Sequence, residues 1–299
     1  IVLFVYNRPS HTRRTIEALQ LNELAKDSDL IIFSDAPKDG QASLAVKEVR
    51  AFISTIKGFK KITIIEREVN FGLVRSIKEG VTEIVNESGK IIVMEDDLVT
   101  HPQFLEFMNK GLEMYKLNKN IFSISGYSHF KSKKVTQSNT NDTYFLKLTS
   151  TWSWATWSDR WEFYNDDTTD SSILKTNSDL VKQFNYDNSY PFYKMLKNRN
   201  DGKVKSWGIV WYWNVFKQNG LTLYPTETLI DQIGFDGTGQ NSRDYTIEDN
   251  YIRPINYVFD FPLTLKETNV VKLKVVKILK RRKINIIIQI IKQKIKDFN

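Results

Sequence analysis

Three carboxylates stand side by side at the end of an apolar run, in Val93-Met-Glu-Asp-Asp-Leu98. Adjacent like charges repel unless a cation or several hydrogen-bond donors neutralise them. Their oxygens suit Mg2+ or Mn2+, ions that take one or two protein carboxylates and complete the shell with phosphate and water. A solvated turn is the competing reading of these three residues taken alone. A second cluster, Tyr6-Asn-Arg-Pro9, follows another apolar run. Arg8 there stands at a helix start, where it can pair with a phosphate near the helix N-terminus. Asp35, after a third run, offers an acceptor for a base or ribose. Asn70-Phe-Gly-Leu-Val-Arg75 puts Gly72 where a close backbone approach is allowed and Arg75 one turn into a helix. The chain contains neither GxxxxGK[ST] nor GxGxxG, so kinase-like and dinucleotide-binding chemistry lose their main support. His11, His101 and His129 form no metal-spaced pair, although His129 is retained as a further metal contact. The absence of cysteine excludes a disulfide scaffold, a thiolate zinc site and a cysteine nucleophile, and it fits a reducing compartment.

These residues share one structural context. The sequence predicts strands at Ile1–Tyr6, Leu30–Ser34, Lys61–Glu66 and Lys90–Met94. Helices are expected between them at Ser10–Leu24 (capped by Ser10), Ser43–Ile56 and Leu73–Asn86. Short continuous apolar strands alternating with helices imply an α/β fold, with a mainly parallel central sheet covered on both faces. Ligands of such sheets sit at the carboxyl ends of the strands, where Arg8, Asp35, Asn70 and Glu95–Asp97 fall. Farther along, Pro102–Leu117 reads as a helix, Phe122–Gly126 as a strand and Ser128–Asp142 as a mobile loop. Thr151–Tyr164 reads as an aromatic helix with Trp154, Trp157 and Trp161 on one face, and Trp207–Asn219 as another helix. Because Ile1 already lies inside an apolar run, the sequence is expected to begin within a strand, with room for an upstream signal or anchor.

Val5-Tyr-Asn-Arg-Pro, Phe33-Ser-Asp35, Asn70-Phe-Gly-Leu and Glu95-Asp-Asp-Leu, in this order, resemble the motifs of GT-A glycosyltransferases. The likeness is strongest to the N-acetylglucosaminyltransferases that build on protein-linked mannose and to bacterial family-2-like sugar transferases. Arg8 with Arg13-Arg14, Ser34-Asp35 (one residue shorter than the family pattern) and Pro102-Gln-Phe104 after Leu98 extend it. It covers residues 1–130 well and 150–240 loosely. The resemblance implies a nucleotide sugar, UDP-linked, held at the strand ends with Mn2+ or Mg2+. By the same resemblance, Asp97 binds the metal, Asp96 the ribose, Asp35 the uracil and Arg8 the diphosphate, while Glu95 orients the site. Asn70 and Arg75 add nucleotide contacts.

The acceptor half shows a departure from that pattern. Trp152 and Trp154 resemble a region that lines the sugar pocket, whereas Trp157 and Trp161 read as core. In the family an acidic W-D-D-W segment supplies the general base, but its counterpart here, Ser206-Trp-Gly-Ile-Val-Trp211, has no carboxylate. An inverting transfer needs a base within reach of the acceptor hydroxyl. Asp201 is the first candidate and Asp159 the second, each with a solvated surface carboxylate as its alternative. Gly234–Asn241 reads as a loop that closes over the donor.

The 299 residues carry a net charge of +8, which would ordinarily suggest nucleic acid. That charge is local: residues 266–299 hold 11 basic and two acidic residues, whereas the preceding 265 hold 32 and 33. Nucleic acid is therefore not an expected partner. In the tail, Ile284, Ile287, Ile288, Ile291, Ile295 and Phe298 share one helical face beside Lys292, Lys294 and Lys296. Such a basic amphipathic segment suits an anionic membrane surface, with a helix packed on the domain, a partner helix or, from its β-branched residues, a strand as the alternatives. The expected organisation is one domain over residues 1–262, divided into a nucleotide-sugar part (1–130) and an acceptor part (131–262), followed by the tail at 263–299. The expected function is a metal-dependent, inverting hexosyl- or N-acetylhexosaminyltransferase acting on a glycan, lipid-linked or polysaccharide acceptor. Its expected place is the cytoplasm, peripherally on the inner membrane face. The rival is a non-catalytic glycan- or membrane-binding protein on the same fold; nucleotidyl transfer is disfavoured because strand one lacks a Gly-rich loop.

Overall fold

A computed structural model describes residues 1–130, 143–237 and 258–296, with the side chains of the last helix described as far as residue 285. The first hundred residues alternate as their apolar runs require. β1 (Val2–Val5), α1 (Pro9–Gln20), β2 (Asp29–Ser34), α2 (Ser43–Ile53), β3 (Lys61–Glu66), α3 (Gly72–Ser88) and β4 (Lys90–Glu95) follow one another. α1 does not start on a Ser10 cap. Arg8 occupies the N-cap position and Pro9 the first turn, where its missing N–H has no role to fill.

After β4 come β5 (Leu98–Thr100), α4 (Phe104–Met114), β6 (Ile121–Ser125), β7 (Thr143–Leu146), β8 (Trp154–Trp157) and the short α5 (Ser158–Trp161). α6 (Ser178–Phe184), α7 (Phe192–Asn200), α8 (Gly208–Lys217), β9 (Leu221–Pro225), β10 (Ile230–Gln232) and α9 (Asn269–Lys296) complete the order. Eight strands form one sheet in the order β3-β2-β1-β4-β8-β6-β9-β7. β3, β2, β1 and β4 pair in parallel, β8 runs antiparallel to both β4 and β6, and β7 runs antiparallel to β9. Since β6 and β9 pair in parallel, only β8 and β7 oppose the common direction. Residues that precede β8 therefore share an edge with residues that follow β1, β2 and β4. β10 pairs antiparallel with β5 just beyond that edge.

The aromatic helix expected over Thr151–Tyr164 is instead strand β8 followed by one short helical turn. Trp154 and Trp157 are three residues apart, a spacing that puts them on one side of a helix but on opposite sides of a strand. Trp154 packs against Trp161, Trp207 and Trp211 at 5.2–5.7 Å between neighbouring rings. Trp157 is buried in the other layer, where its indole N–H donates to the Leu112 carbonyl at 3.1 Å. Both layers are apolar: α1, α2 and α4 contribute Ile16, Val49 and Phe107 on one face, and α3 and α8 contribute Ile77, Val81 and Val215 on the other. A third cluster joins α6, α7 and α8 to α9 through Phe184, Leu196, Tyr212, Val271 and Val275. The first turns of α9 are thus packed on α6, α7 and α8. No helix among the described residues is long and apolar enough to cross a membrane.

Arg160, 2% exposed, closes the far end of the sheet. It donates to the carbonyls of Tyr115, Lys116, Asn118 and Ile121 at 2.8–3.2 Å and pairs with Asp159 at 2.6 Å. A buried carbonyl left without its donor costs about 1–3 kcal/mol. Arg160→Met should therefore lower the unfolding free energy by about 3 kcal/mol. A urea titration will show this as a lower midpoint at unchanged slope, and an unchanged midpoint would refute the role.

Candidate functional site

β1 and β4 are neighbours in the sheet, so the turns after them converge. At that point Arg8 Nη2 donates to Asp96 and, at 2.9 Å, to Asp97 Oδ2. Thr15, in the second turn of α1, donates to the Asp96 carbonyl at 2.9 Å and ties the helix to the turn. Asp96 and Asp97 are 4% and 9% exposed. Burial holds the Asp96 carboxyl above the ordinary carboxylate range, Arg8 opposes that shift and Asp97 adds to it. Burial, with Asp97 and Asp96 as neighbours, pushes Glu95 up to about 8. One guanidinium faces three carboxyl groups, so the cluster is short of positive charge. Arg8 Nη1 is also buried and makes no hydrogen bond among the described residues.

A distant segment lies against this cluster. The Ile233 N–H donates to the Asp97 carbonyl at 2.9 Å, and His11 Nε2 lies 3.3 Å from the Ile233 carbonyl and 3.1 Å from Asp236 Oδ2. Gly234 sits so close that a Cβ there would be 2.2 Å from Asp97 Oδ2 and 3.0 Å from Arg8 Nη1. Only glycine fits this approach. The loop expected at Gly234–Asn241 reaches the site with its first residues; 238–241 lie outside the described residues, as does most of Ser128–Asp142.

Asp35 turns out to be an anchor of the neighbouring turn. Oδ1 accepts from the Ala36 and Phe71 N–H groups at 2.9 and 2.8 Å, and Oδ2 from Gly72 N–H and Asn70 Nδ2 at 2.8 and 3.1 Å. A carboxylate offers about four acceptor positions, and all four are taken. Asn70 also donates to the Ala36 carbonyl at 2.6 Å. Both residues therefore hold the start of α3, where Gly72 adopts φ +69°, and Asp35 has no lone pair left for a base. The Arg75 guanidinium lies 3.6 Å from the Phe71 ring centre and pairs with Glu79 at 2.7 Å. Arg67 also stacks over Phe71, at 4.7 Å, a contact that the sequence reading did not include.

The two tryptophans read as sugar contacts separate. Trp152 is partly exposed at the ligand edge, 4.8 Å from Tyr127 and 5.6 Å from Phe235. Trp154 is fully buried and cannot meet a ligand. Both candidate bases are also displaced. Asp159 follows β8 at the opposite end of the sheet, beside Trp157, whose partner is Lys90 at the start of β4. There it pairs with Lys119 and Arg160, so its role is structural. Asp201 ends α7 and is exposed, held by Lys197 and Lys203 at 2.9 Å each. Those hydrogen bonds lower its pKa to about 2, which makes it a weak proton acceptor at neutral pH. His129, read as a further metal contact, is buried with its rings neighbours Tyr127 and Tyr224 at 5.2 and 5.7 Å. Among the described residues no group of three His, Asp or Glu side chains forms a metal cage.

The Glu95 shift carries a sign. Its folded pKa lies above the ordinary value of 4.5, so the folded chain binds the extra proton between about 4.5 and 8. Stability from this group is present at low pH and is lost as pH rises through that window. Without divalent cations, the melting temperature of wild type relative to Glu95→Gln should fall from pH 5 to pH 8. A constant difference would contradict it.

Residues 1–173, more than half of the chain, match the family model described as Glycosyl transferase family 2. A search of the curated proteins finds no match. Among solved structures, the crystal structure of GalNAc-T7 with UDP, GalNAc and Mn2+ superposes with a TM-score of 0.45 at 9% identity, over 77% of this chain and 42% of that one. The chain thus spans less than half the length of that protein. Its sheet, with parallel strands ending at the acidic turn and the reversed β8 inserted beside them, is of GT-A type, and the chain belongs to glycosyl transferase family 2.

Proposed function

We propose that the chain transfers a sugar from a nucleoside diphosphate sugar, UDP-linked, to a glycan, lipid-linked or polysaccharide hydroxyl, with inversion at the anomeric carbon. The observation that carries this reading is Arg8 bridging Asp96 and Asp97 beneath Gly234, with a buried guanidinium nitrogen that has no partner among the described residues. Arg8 binds the diphosphate through that donor and steadies the leaving group as negative charge builds on it. Asp96 holds the ribose, and Glu95 sets the charge of the turn.

A divalent cation fits the donor set. Asp97 Oδ1 accepts no hydrogen bond among the described residues, its oxygens are hard ligands, and the incomplete protein shell suits an ion whose remaining ligands are phosphate and water. Asp97 would hold Mn2+ or Mg2+, which when bound neutralises diphosphate charge. We give the general base role to Asp236 in place of Asp201 and Asp159. It lies next to Phe235, which contacts Trp152, and His11 orients it at 3.1 Å. The reading also places the chain peripherally on the cytoplasmic face of a membrane. Seven cations and no acid between residues 269 and 285 support that position.

Thermal-shift measurements with a panel of nucleotide sugars, with and without Mn2+, test the donor half. One UDP-sugar should raise the melting temperature, more so with Mn2+, and Asp97→Ala should abolish the Mn2+ increment. No response to any nucleotide sugar would sink the proposal. Gly234→Ala should lose donor stabilisation and also melt below wild type, because its Cβ must displace the paired Asp97 side chain. Asp236→Asn should keep donor stabilisation but lose roughly 100-fold or more in kcat; retention of wild-type turnover would remove Asp236 from the role.

A further inference from the structure

A row of rings runs away from the donor cluster. Phe235 follows Gly234, which lies against Asp97; its ring is 5.6 Å from Trp152, Trp152 is 4.8 Å from Tyr127, and Tyr127 is 5.2 Å from His129. The row ends at α9, where exposed Arg282 donates to the Tyr127 hydroxyl at 2.8 Å. His129 is 9% exposed, and neither ring nitrogen has a hydrogen-bond partner among the described residues. A buried imidazole in that state is costly unless a ligand supplies the missing partner. Burial, with Arg282 second, pushes its pKa down to about 3, and an anion beside both groups would act against that repulsion.

The opposite side of α9 has a different character. Val271, Val275, Val276 and Leu279 are buried in the domain, while Val270, Leu273 and Ile284 are more than half exposed and lie on the outward side with Lys277, Lys280 and Arg281. Exposed apolar residues among cations suit the headgroup layer of an anionic membrane. One helix therefore presents a membrane-facing side and, through Arg282, reaches the end of the ring row.

We propose that Phe235, Trp152, Tyr127, His129 and Arg282 form the acceptor subsite for a sugar carried on a membrane lipid phosphate. The rings take the apolar faces of the sugar. Arg282 and His129 take the phosphate that joins it to the lipid, Arg282 through its fork of N–H donors. α9 lies on the bilayer that holds the lipid. This deepens the sugar-transfer reading and rests on it for the placement of the acceptor hydroxyl near Asp97.

The test uses the full chain and three kinds of phosphatidylcholine vesicle: undoped, doped with a polyprenyl diphosphate, and doped with phosphatidylserine to the same charge. Co-sedimentation should show roughly tenfold tighter binding to the polyprenyl diphosphate vesicles than to the phosphatidylserine vesicles, the scale of a hydrogen bond to a charged group. Free pyrophosphate should erase that preference. Arg282→Gln, a change at an exposed position, should also erase it and leave phosphatidylserine binding in place, whereas Lys277→Glu with Lys280→Glu should weaken both. Equal binding of the wild type to the two charged vesicles overturns the proposal, as does an Arg282→Gln chain that keeps the preference. Donor stabilisation, measured separately, distinguishes the two readings. A chain that discriminates the lipids but responds to no nucleotide sugar refutes the donor reading and leaves the phosphate subsite standing. The reverse result refutes the subsite alone.

Discussion

Everything at the ligand edge depends on a shortage of positive charge. Glu95, Asp96 and Asp97 follow one another at the end of β4, and among the described residues Arg8 is the cation paired with Asp96 and Asp97. Burial and the neighbouring carboxylates push Glu95 up to about 8, which favours its neutral form and relieves one of the three charges. An anion can join this cluster only together with a cation or with a turn of Arg8 that points Nη1, which makes no hydrogen bond among the described residues, toward it. The case for a divalent ion thus rests on electrostatics as well as on ligand type.

The second determinant is strand direction. β4 spans six residues, Lys90 to Glu95, so its ends are roughly 17 Å apart at about 3.3 Å per residue. Because β8 runs against β4, the residues before it arrive at the Glu95 end and the residues after it leave at the Lys90 end. Trp152 thereby joins the site and Asp159 is removed from it, although the two are only seven positions apart. A helix over the same residues would have kept them much closer. The extended conformation of β8, rather than its direction, explains how tryptophans three residues apart enter different layers of the core.

The parallel half was legible because it obeys local rules. Short apolar runs ending in Tyr6-Asn-Arg-Pro9, Ser34-Asp35 and Glu95-Asp-Asp-Leu98 carry both strand and edge in consecutive residues, and β2, β3 and β4 fall within a residue of their expected bounds. Beyond Asp97 the information is not local. Gly234 contacts Asp97 across 137 positions, and Arg282 reaches Tyr127 across 155. No periodicity encodes contacts of that kind. The Gly234-Phe-Asp-Gly cluster was a usable signal for a loop near the donor, but its partner could not be named from it. β7 and β9 are not legible because fully buried strands of four and five residues leave no alternation to detect, and β10 because three residues are too few to show a period.

Asp35 shows where a motif and its chemistry part company. Its position after β2 is one at which a ligand contact is expected in an open α/β sheet. Four hydrogen bonds from Ala36, Asn70, Phe71 and Gly72 nevertheless fill its acceptor positions, and three of them come from the backbone. A carboxylate at the start of α3 also meets the positive end of the helix dipole, so the pairing is favourable without any ligand. Its effect on binding is indirect: it fixes the turn that presents Phe71, over which Arg67 and Arg75 stack. Asp35 thus keeps the Phe71 ring and its two guanidinium neighbours in place between strand end and helix start.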